Sequence, residues 1–133
     1  MAMNPEGIDE TVAIFFAAFS NVDGPAPVDS LYDICLAEAV IVNATNRSPA
    51  IYSLEQFVEP RRALLSSGTL VGFREYEISS ETSVHDRIAN RISRYEKTWT
   101  EDGVRKQGAG MKIISLLLTA EGWKITSVLW QDT

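Results

Sequence analysis

Apolar residues at Ile8, Val12, Phe15, Phe16 and Phe19 recur at spacings of 4, 3, 1 and 3. That spacing puts them on one stripe of an α-helix and predicts a helix over residues 6–20. Gly24, Pro25 and Pro27 interrupt the pattern, after which Leu31, Ile34 and Cys35 predict a short second helix. "AVIVNA" (residues 39–44) predicts a brief strand. Ser53 with Gln56 three residues on is a capping box, and Gly68 supplies a stop, so a third helix is predicted between them. Pro60 removes an internal donor, which predicts that this helix is kinked or divided.

From residue 69 the period changes. "TLVGFREYEISSETSV", "RIANRISRYEKTWTE", "VRKQGAGMKIISLLLT" and "GWKITSVLWQD" read as four long strands separated by His85-Asp86, Asp102-Gly103 and Glu121-Gly122. Helices gathered in the first half and an antiparallel meander in the second predict one α+β domain over 1–133, with helices covering one face of a curved sheet. Gly108 and Gly110 lie in or beside a strand and precede no helix, which excludes a phosphate loop and predicts a bulge.

Charge sets the expected register, because opposite charges across a strand pair are favourable and like charges are not. A three-residue loop at residues 85–87 pairs Val84 with Ile88, Glu81 with Arg91, Glu75 with Lys97 and Phe73 with Trp99, whereas a one-residue slip sets Glu75 against Glu96. Continuing through a two-residue Asp102-Gly103 turn and a three-residue turn at 120–122 predicts two faces. One carries Phe73, Glu75, Glu77, Glu81, Arg91, Ser93, Tyr95, Lys97, Trp99, Ile114, Leu116, Val128, Trp130 and Asp132; the other is more apolar, with Tyr76, Ile78, Ile88, Ile92, Ile113, Leu117, Trp123, Ile125 and Leu129.

Composition narrows the partners. With 18 acidic against 12 basic residues and a net charge of -6, the overall field repels a nucleic-acid backbone. No apolar run approaches a membrane span and the opening "MAMNPEG" has no signal-peptide pattern, so no membrane association and a cytoplasmic location are expected. Cys35 is the only cysteine and His85 the only histidine, so neither a disulfide nor a metal site is expected, and no cofactor is implied.

The three N-terminal helices, the long meander and the closing "GWKITSVLWQD" resemble the nuclear transport factor 2-like (NTF2-like) superfamily, the cystatin-like cone fold that includes SnoaL-like cyclases and ketosteroid isomerases. "RISRY" followed by a Gly-Trp-x-Ile strand is similar to the association domain of calcium/calmodulin-dependent kinase within that superfamily. The resemblance implies that the position of Arg91 points into a pocket between sheet and helices. It also implies a second pocket arginine at the position where this chain has Trp130. The mixed face is therefore expected to line a pocket, with Arg91 held beside Glu81 or Glu77. Tyr95 and Trp130 are expected at its floor and Phe16, Tyr32 and Phe57 at its roof.

Two function classes follow. One is a protein that binds a small, partly apolar molecule, with an acidic one as a candidate, through Phe16, Tyr32, Phe57, Arg91, Tyr95 and Trp130, and forms a homodimer through the apolar outer face. The other is a cyclase- or isomerase-like enzyme in which Glu77 or Asp132 moves a proton beside a carbonyl. Each candidate has a structural reading beside the functional one: Arg91 as a cross-strand ion-pair partner, Tyr95 bonded to Glu77, and Asp132 solvated near the C-terminus.

Overall fold

A computed structural model describes residues 5–133. The elements run α1 (Pro5–Ala17), a 3-10 turn (Val28–Ser30), α2 (Leu31–Ile34), β1 (Cys35–Asn43), β2 (Ala50–Ser53), α3 (Leu54–Ser66), β3 (Val71–His85), β4 (Ile88–Glu101), β5 (Val104–Thr119) and β6 (Gly122–Asp132). The strands form one six-stranded sheet in the order β2-β1-β6-β5-β4-β3. β3 to β6 are the expected antiparallel meander, but β1 runs parallel to β6 and pairs antiparallel with β2 on its other edge. The sheet is thus mixed. Neither β2, only four residues long, nor the partner of β1 carries a signal in the local pattern.

The helices form where their stripes and caps place them. Ile8, Val12, Phe15 and Phe16 are buried along α1, which packs on β3 and β6. In α3 the Ser53 hydroxyl accepts from the Gln56 amide and the Gln56 side chain accepts from the Ser53 amide, satisfying two donors that the helix start would otherwise leave open. Pro60 does not divide α3: the helix is continuous through it. The carbonyl that loses its partner belongs to exposed Gln56, where water can replace the bond.

Two hairpins are one residue tighter than the charge pattern predicts, and each slip is undone by a bulge. His85 pairs with Ile88 across a two-residue Asp86-Arg87 turn, so Thr82, not Glu81, faces Arg91; an extra residue at Ile78 then restores the predicted Glu75–Lys97 pairing. Thr119 pairs with Gly122 across Ala120-Glu121, and an extra residue at Thr126 restores Ile114 opposite Val128. Because one residue exchanges the faces of a strand, Glu81 moves to the exposed side. Trp123 and Ile125 move into the core, 4% and 0% exposed.

The Asp102-Gly103 turn is as expected, with φ of 53° and 74° and Glu101 paired with Val104. No bulge accompanies Gly108 and Gly110, which pair in regular register with Lys97 and Tyr95. The small residue at 110 has a packing reason: a Cβ there would fall 2.6 Å from Cζ of Tyr95 and closer still to its hydroxyl. Gly110 therefore lets the Tyr95 ring lie flat across its neighbouring strand.

Covering the inner face is a chain of edge-to-face aromatic contacts that runs from Phe16 through Phe15, Phe19 and Phe57 to Trp130. Such pairs add about 0.5–1.5 kcal/mol each beyond their area burial. They tie α1 and α3 to β6 and leave a gap between α3 and the sheet.

Candidate functional site

That gap is a cavity of about 280 Å³. Phe57, Arg61, Leu64 and Leu65 line it at helical spacing from α3, while alternate residues reach it from the strands: Phe73 and Glu75 of β3, Lys97 and Trp99 of β4, Lys112 of β5, Trp130 and Asp132 of β6. Phe19, Asn43 and Leu70 complete the wall. The lining is aromatic and aliphatic with a few charged groups, the usual make-up of a small-molecule site.

Lys112 lies at its floor, and its side chain is only 6% exposed. The ammonium nitrogen is 3.3 Å from Oε2 of Glu75, itself 8% exposed. It lies 4.3 Å from the ring centre of Tyr95, 5.1 Å from Trp130, 5.7 Å from Phe15 and 6.0 Å from Phe16. Burial depresses the Lys112 pKa below the ordinary lysine value, against the opposing pull of Glu75. The rings and the single carboxylate are what keep a charge there at all.

Beside it, the Tyr95 hydroxyl donates to Oδ1 of Asp132, which also accepts from Lys97 at 3.1 Å. Burial alone would raise the Asp132 pKa, but the Tyr95 hydrogen bond and the Lys97 charge outweigh it and hold the carboxyl below its ordinary range. Burial and then the Asp132 contact push the Tyr95 hydroxyl upward, so it remains a donor.

At the mouth, the Arg61 guanidinium stacks 3.7 Å from the ring centre of Phe57, with Tyr52 and Trp130 at 5.5 and 5.6 Å. It donates to the Phe57 carbonyl at 3.1 Å. Among the described residues no carboxylate lies within ion-pair distance of it. Burial lowers its pKa, although an arginine so placed stays charged.

The structure brings Phe57, Trp130 and Asp132 to the cavity, whereas Tyr95, 1% exposed, lies behind the lining and reaches it only through the hydroxyl it donates to Asp132. Phe16 is buried behind Lys112 and does not roof the cavity. Tyr32 is 41% exposed and lines a separate groove with Cys35 and Lys124, because α2 is a single turn whose buried face is taken by Leu31 and Ile34. The Cys35 thiol beside it is pushed up to about 12 by burial, which makes it unreactive.

Arg91 and Glu77 also lie outside the cavity. Arg91 donates to both Glu77 oxygens, at 3.0 and 2.5 Å, to Asp9 of α1 at 2.5 Å and to Thr82 at 3.2 Å, and Glu77 accepts in addition from Ser93. The bulge at Ile78 selects Glu77 over Glu81 as its partner. The Glu77 hydrogen bond chiefly, then Asp9, raises the Arg91 pKa against the cost of burial. Neither residue is free to meet a ligand: the group fastens α1 to β3 and β4.

Lys112, Arg61, Lys97 and Glu75 are the site residues that sequence reasoning passed over. Alternation along the strands puts Glu75 and Lys97 on the lining face, and Lys112 shares the parity of Ile114 and Leu116. A lysine in phase with buried apolar residues was the available signal. Arg61 gives none, because its role depends on how α3 lies over Trp130. Among the described residues no cluster of His, Cys, Asp and Glu could hold a metal ion.

No protein-family model matches the chain, and no curated protein matches it in sequence. Solved structures do. An NTF2-like superfamily protein from Salmonella enterica superposes with a TM-score of 0.77 at 13% identity, over 95% of this chain and 88% of the other. An NTF2-like protein from Cytophaga hutchinsonii gives 0.74 at 13% identity, over 99% and 100%. A candidate calcium/calmodulin-dependent kinase II association domain from Exiguobacterium sibiricum gives 0.74 at 8% identity, over 100% and 95%. The protein has the NTF2-like, cystatin-like α+β fold, with three helices on a curved six-stranded sheet. At these identities the likeness shows the fold alone.

If Arg91 is a fastener, Arg91→Met leaves a half-buried Glu77 without its counter-charge, held only by Ser93, and lowers unfolding stability in urea by about 2 kcal/mol. Loss of cavity-ligand affinity without a change in stability would contradict that role.

Proposed function

We propose that this protein is a cytoplasmic binding protein for a small, partly apolar organic anion, and that it works as a homodimer of one-domain subunits. The observation that carries the reading is Arg61. Lys97 and Lys112 each have a carboxylate within ion-pair distance, in Asp132 and Glu75, whereas Arg61 at the mouth has none so close among the described residues and feels only the more distant, already paired Glu75. A ligand carboxylate would supply the missing partner, with its apolar body against Leu64, Leu70, Phe73 and Trp99. The anion is thus held by α3, not by the strand arginine that the superfamily resemblance implied. Arg61→Met is expected to weaken binding of benzoate-like acids by about 2 kcal/mol, roughly thirtyfold in Kd, with little effect on neutral analogues. Tryptophan fluorescence titration measures both, and equal losses would defeat the assignment.

The second copy is placed on the outer face. Cross-strand pairing lines up Ile92, Ile113, Leu129, Val42 and Ile51 in one row across five strands. Ile113, Leu129 and Ile51 are 39%, 43% and 67% exposed. A row of that kind on a sheet face is favourably covered by its own copy about a two-fold axis. Native mass spectrometry is expected to show a dimer that Ile113→Glu dissociates; a monomer at micromolar concentration would count against it.

A cyclase- or isomerase-like enzyme using a pocket carboxylate is the second reading, and the Asp132–Tyr95 pair at the cavity edge favours it. Glu77, bound to Arg91 and outside the cavity, is not a candidate base. Asp132 is held ionised and is a correspondingly weak base, so this reading ranks below binding. It requires that Asp132→Asn abolish turnover of a bound carbonyl compound while the protein stays folded by circular dichroism; retained turnover removes it.

A further inference from the structure

From the floor of the same cavity we infer that Lys112 is a carbonyl-reactive amine, and that the ligands it takes are aldehydes or ketones whose acid group is held at the mouth. The inference rests on the reading of the cavity as a binding site for organic anions and adds covalent chemistry to it. Three geometric features support it. Lys112 lines the cavity although its side chain is only 6% exposed. It has three donors but only one carboxylate within reach, Glu75 at 3.3 Å, so the rest of the ammonium faces rings and the cavity. Those rings, Tyr95 and Trp130 at 4.3 and 5.1 Å, exclude bulk water from the nitrogen. A desolvated amine is the more easily deprotonated one, which agrees with the direction of its pKa.

The other lysines are placed differently. Lys97 is tied to Asp132, Lys106 lies beside Glu101 at the surface, and Lys124 donates to the Asp33 carbonyl.

The step balances without an oxidant or a metal. The Lys112 ammonium passes a proton to Glu75, and the freed lone pair forms a C–N bond to the carbonyl carbon while the C=O π pair moves to oxygen. Glu75 returns its proton to that oxygen, takes one from the new N–H and delivers it to the hydroxyl, so the C–O bond breaks and water leaves. The products are a protonated imine, paired with the regenerated Glu75 carboxylate, and one water.

The experiment treats the intact protein with 4-carboxybenzaldehyde and cyanoborohydride, which reduces an imine to a stable amine, and maps the adducts by peptide mass spectrometry. Binding of 4-methylbenzoate, which has the ring and acid but no aldehyde, is followed in parallel by tryptophan fluorescence. The expected result is one adduct per chain, on Lys112, that is lost in Lys112→Arg, a variant that keeps the cation but not the nucleophile. Lys112→Met is run beside it, with thermal melts to show that each variant is folded. Binding without an adduct, or adducts spread over Lys97, Lys106, Lys124 and the α-amine, overturns the inference and leaves the binding reading standing. Neither binding nor adduct overturns both, and a Lys112 adduct without 4-methylbenzoate binding upholds the carbonyl-reactive amine but overturns the acid anchor at the mouth together with the anion-binding reading.

Discussion

Two extra residues, Ile78 in β3 and Thr126 in β6, decide which side chains this sheet turns towards its helices. A strand alternates faces with a period of two, so one inserted residue exchanges everything beyond it. Each bulge compensates a hairpin turn one residue tighter than its neighbours require. The consequence at β6 is that Trp123 and Ile125 pack inward at one end while Val128 and Trp130 do so at the other. At β3 the consequence is electrostatic: Arg91 meets Thr82 and Glu77, and Glu81 turns away.

The inner face carries more charge than an apolar core tolerates unless every group is matched. Arg91, buried beside half-buried Glu77, and Lys112, buried with Glu75, are each paired. Removing water from such groups costs several kcal/mol per ion, so neither pair is an obvious source of net stability. Their value is positional. Arg91 reaches Asp9 and so fixes where α1 crosses the sheet, and Lys112 sits where the rings of Tyr95, Trp130, Phe15 and Phe16 converge.

Arg61 differs because no carboxylate among the described residues lies within ion-pair distance of it: it meets rings, the Phe57 carbonyl and the Tyr52 hydroxyl, with Glu75 acting only from further off. Cation–π stacking on Phe57 offsets part of its desolvation but does not neutralise it. Under the proposed binding role, such a site would favour anions although the chain as a whole is acidic. Local arrangement thus overrides net charge, since a cavity with low-dielectric walls is governed by its nearest groups. The fold, shared with structures of 8–13% identity, does not dictate this arrangement.

Much of the architecture was legible in one dimension. The stripe from Ile8 to Phe19, the Ser53-Gln56 box, the Asp102-Gly103 turn and the Glu75–Lys97 register all come from local spacing or from a charge pair on consecutive strands. Those signals are short-range, so the chain alone carries them. The parallel union of β1 with β6, the continuity of α3 through Pro60, and the two bulges depend on what packs against each segment. The same limit explains the site. Residue parity could put Glu75, Lys97 and Lys112 on one face, and helical spacing sets Arg61 beside Phe57, but only the crossing of α3 over β6 brings Arg61 to Trp130. Whether a charged residue fastens the fold or faces a cavity is set by its three-dimensional neighbours, and Arg91 and Lys112, alike in pattern along their strands, fall on opposite sides of that division.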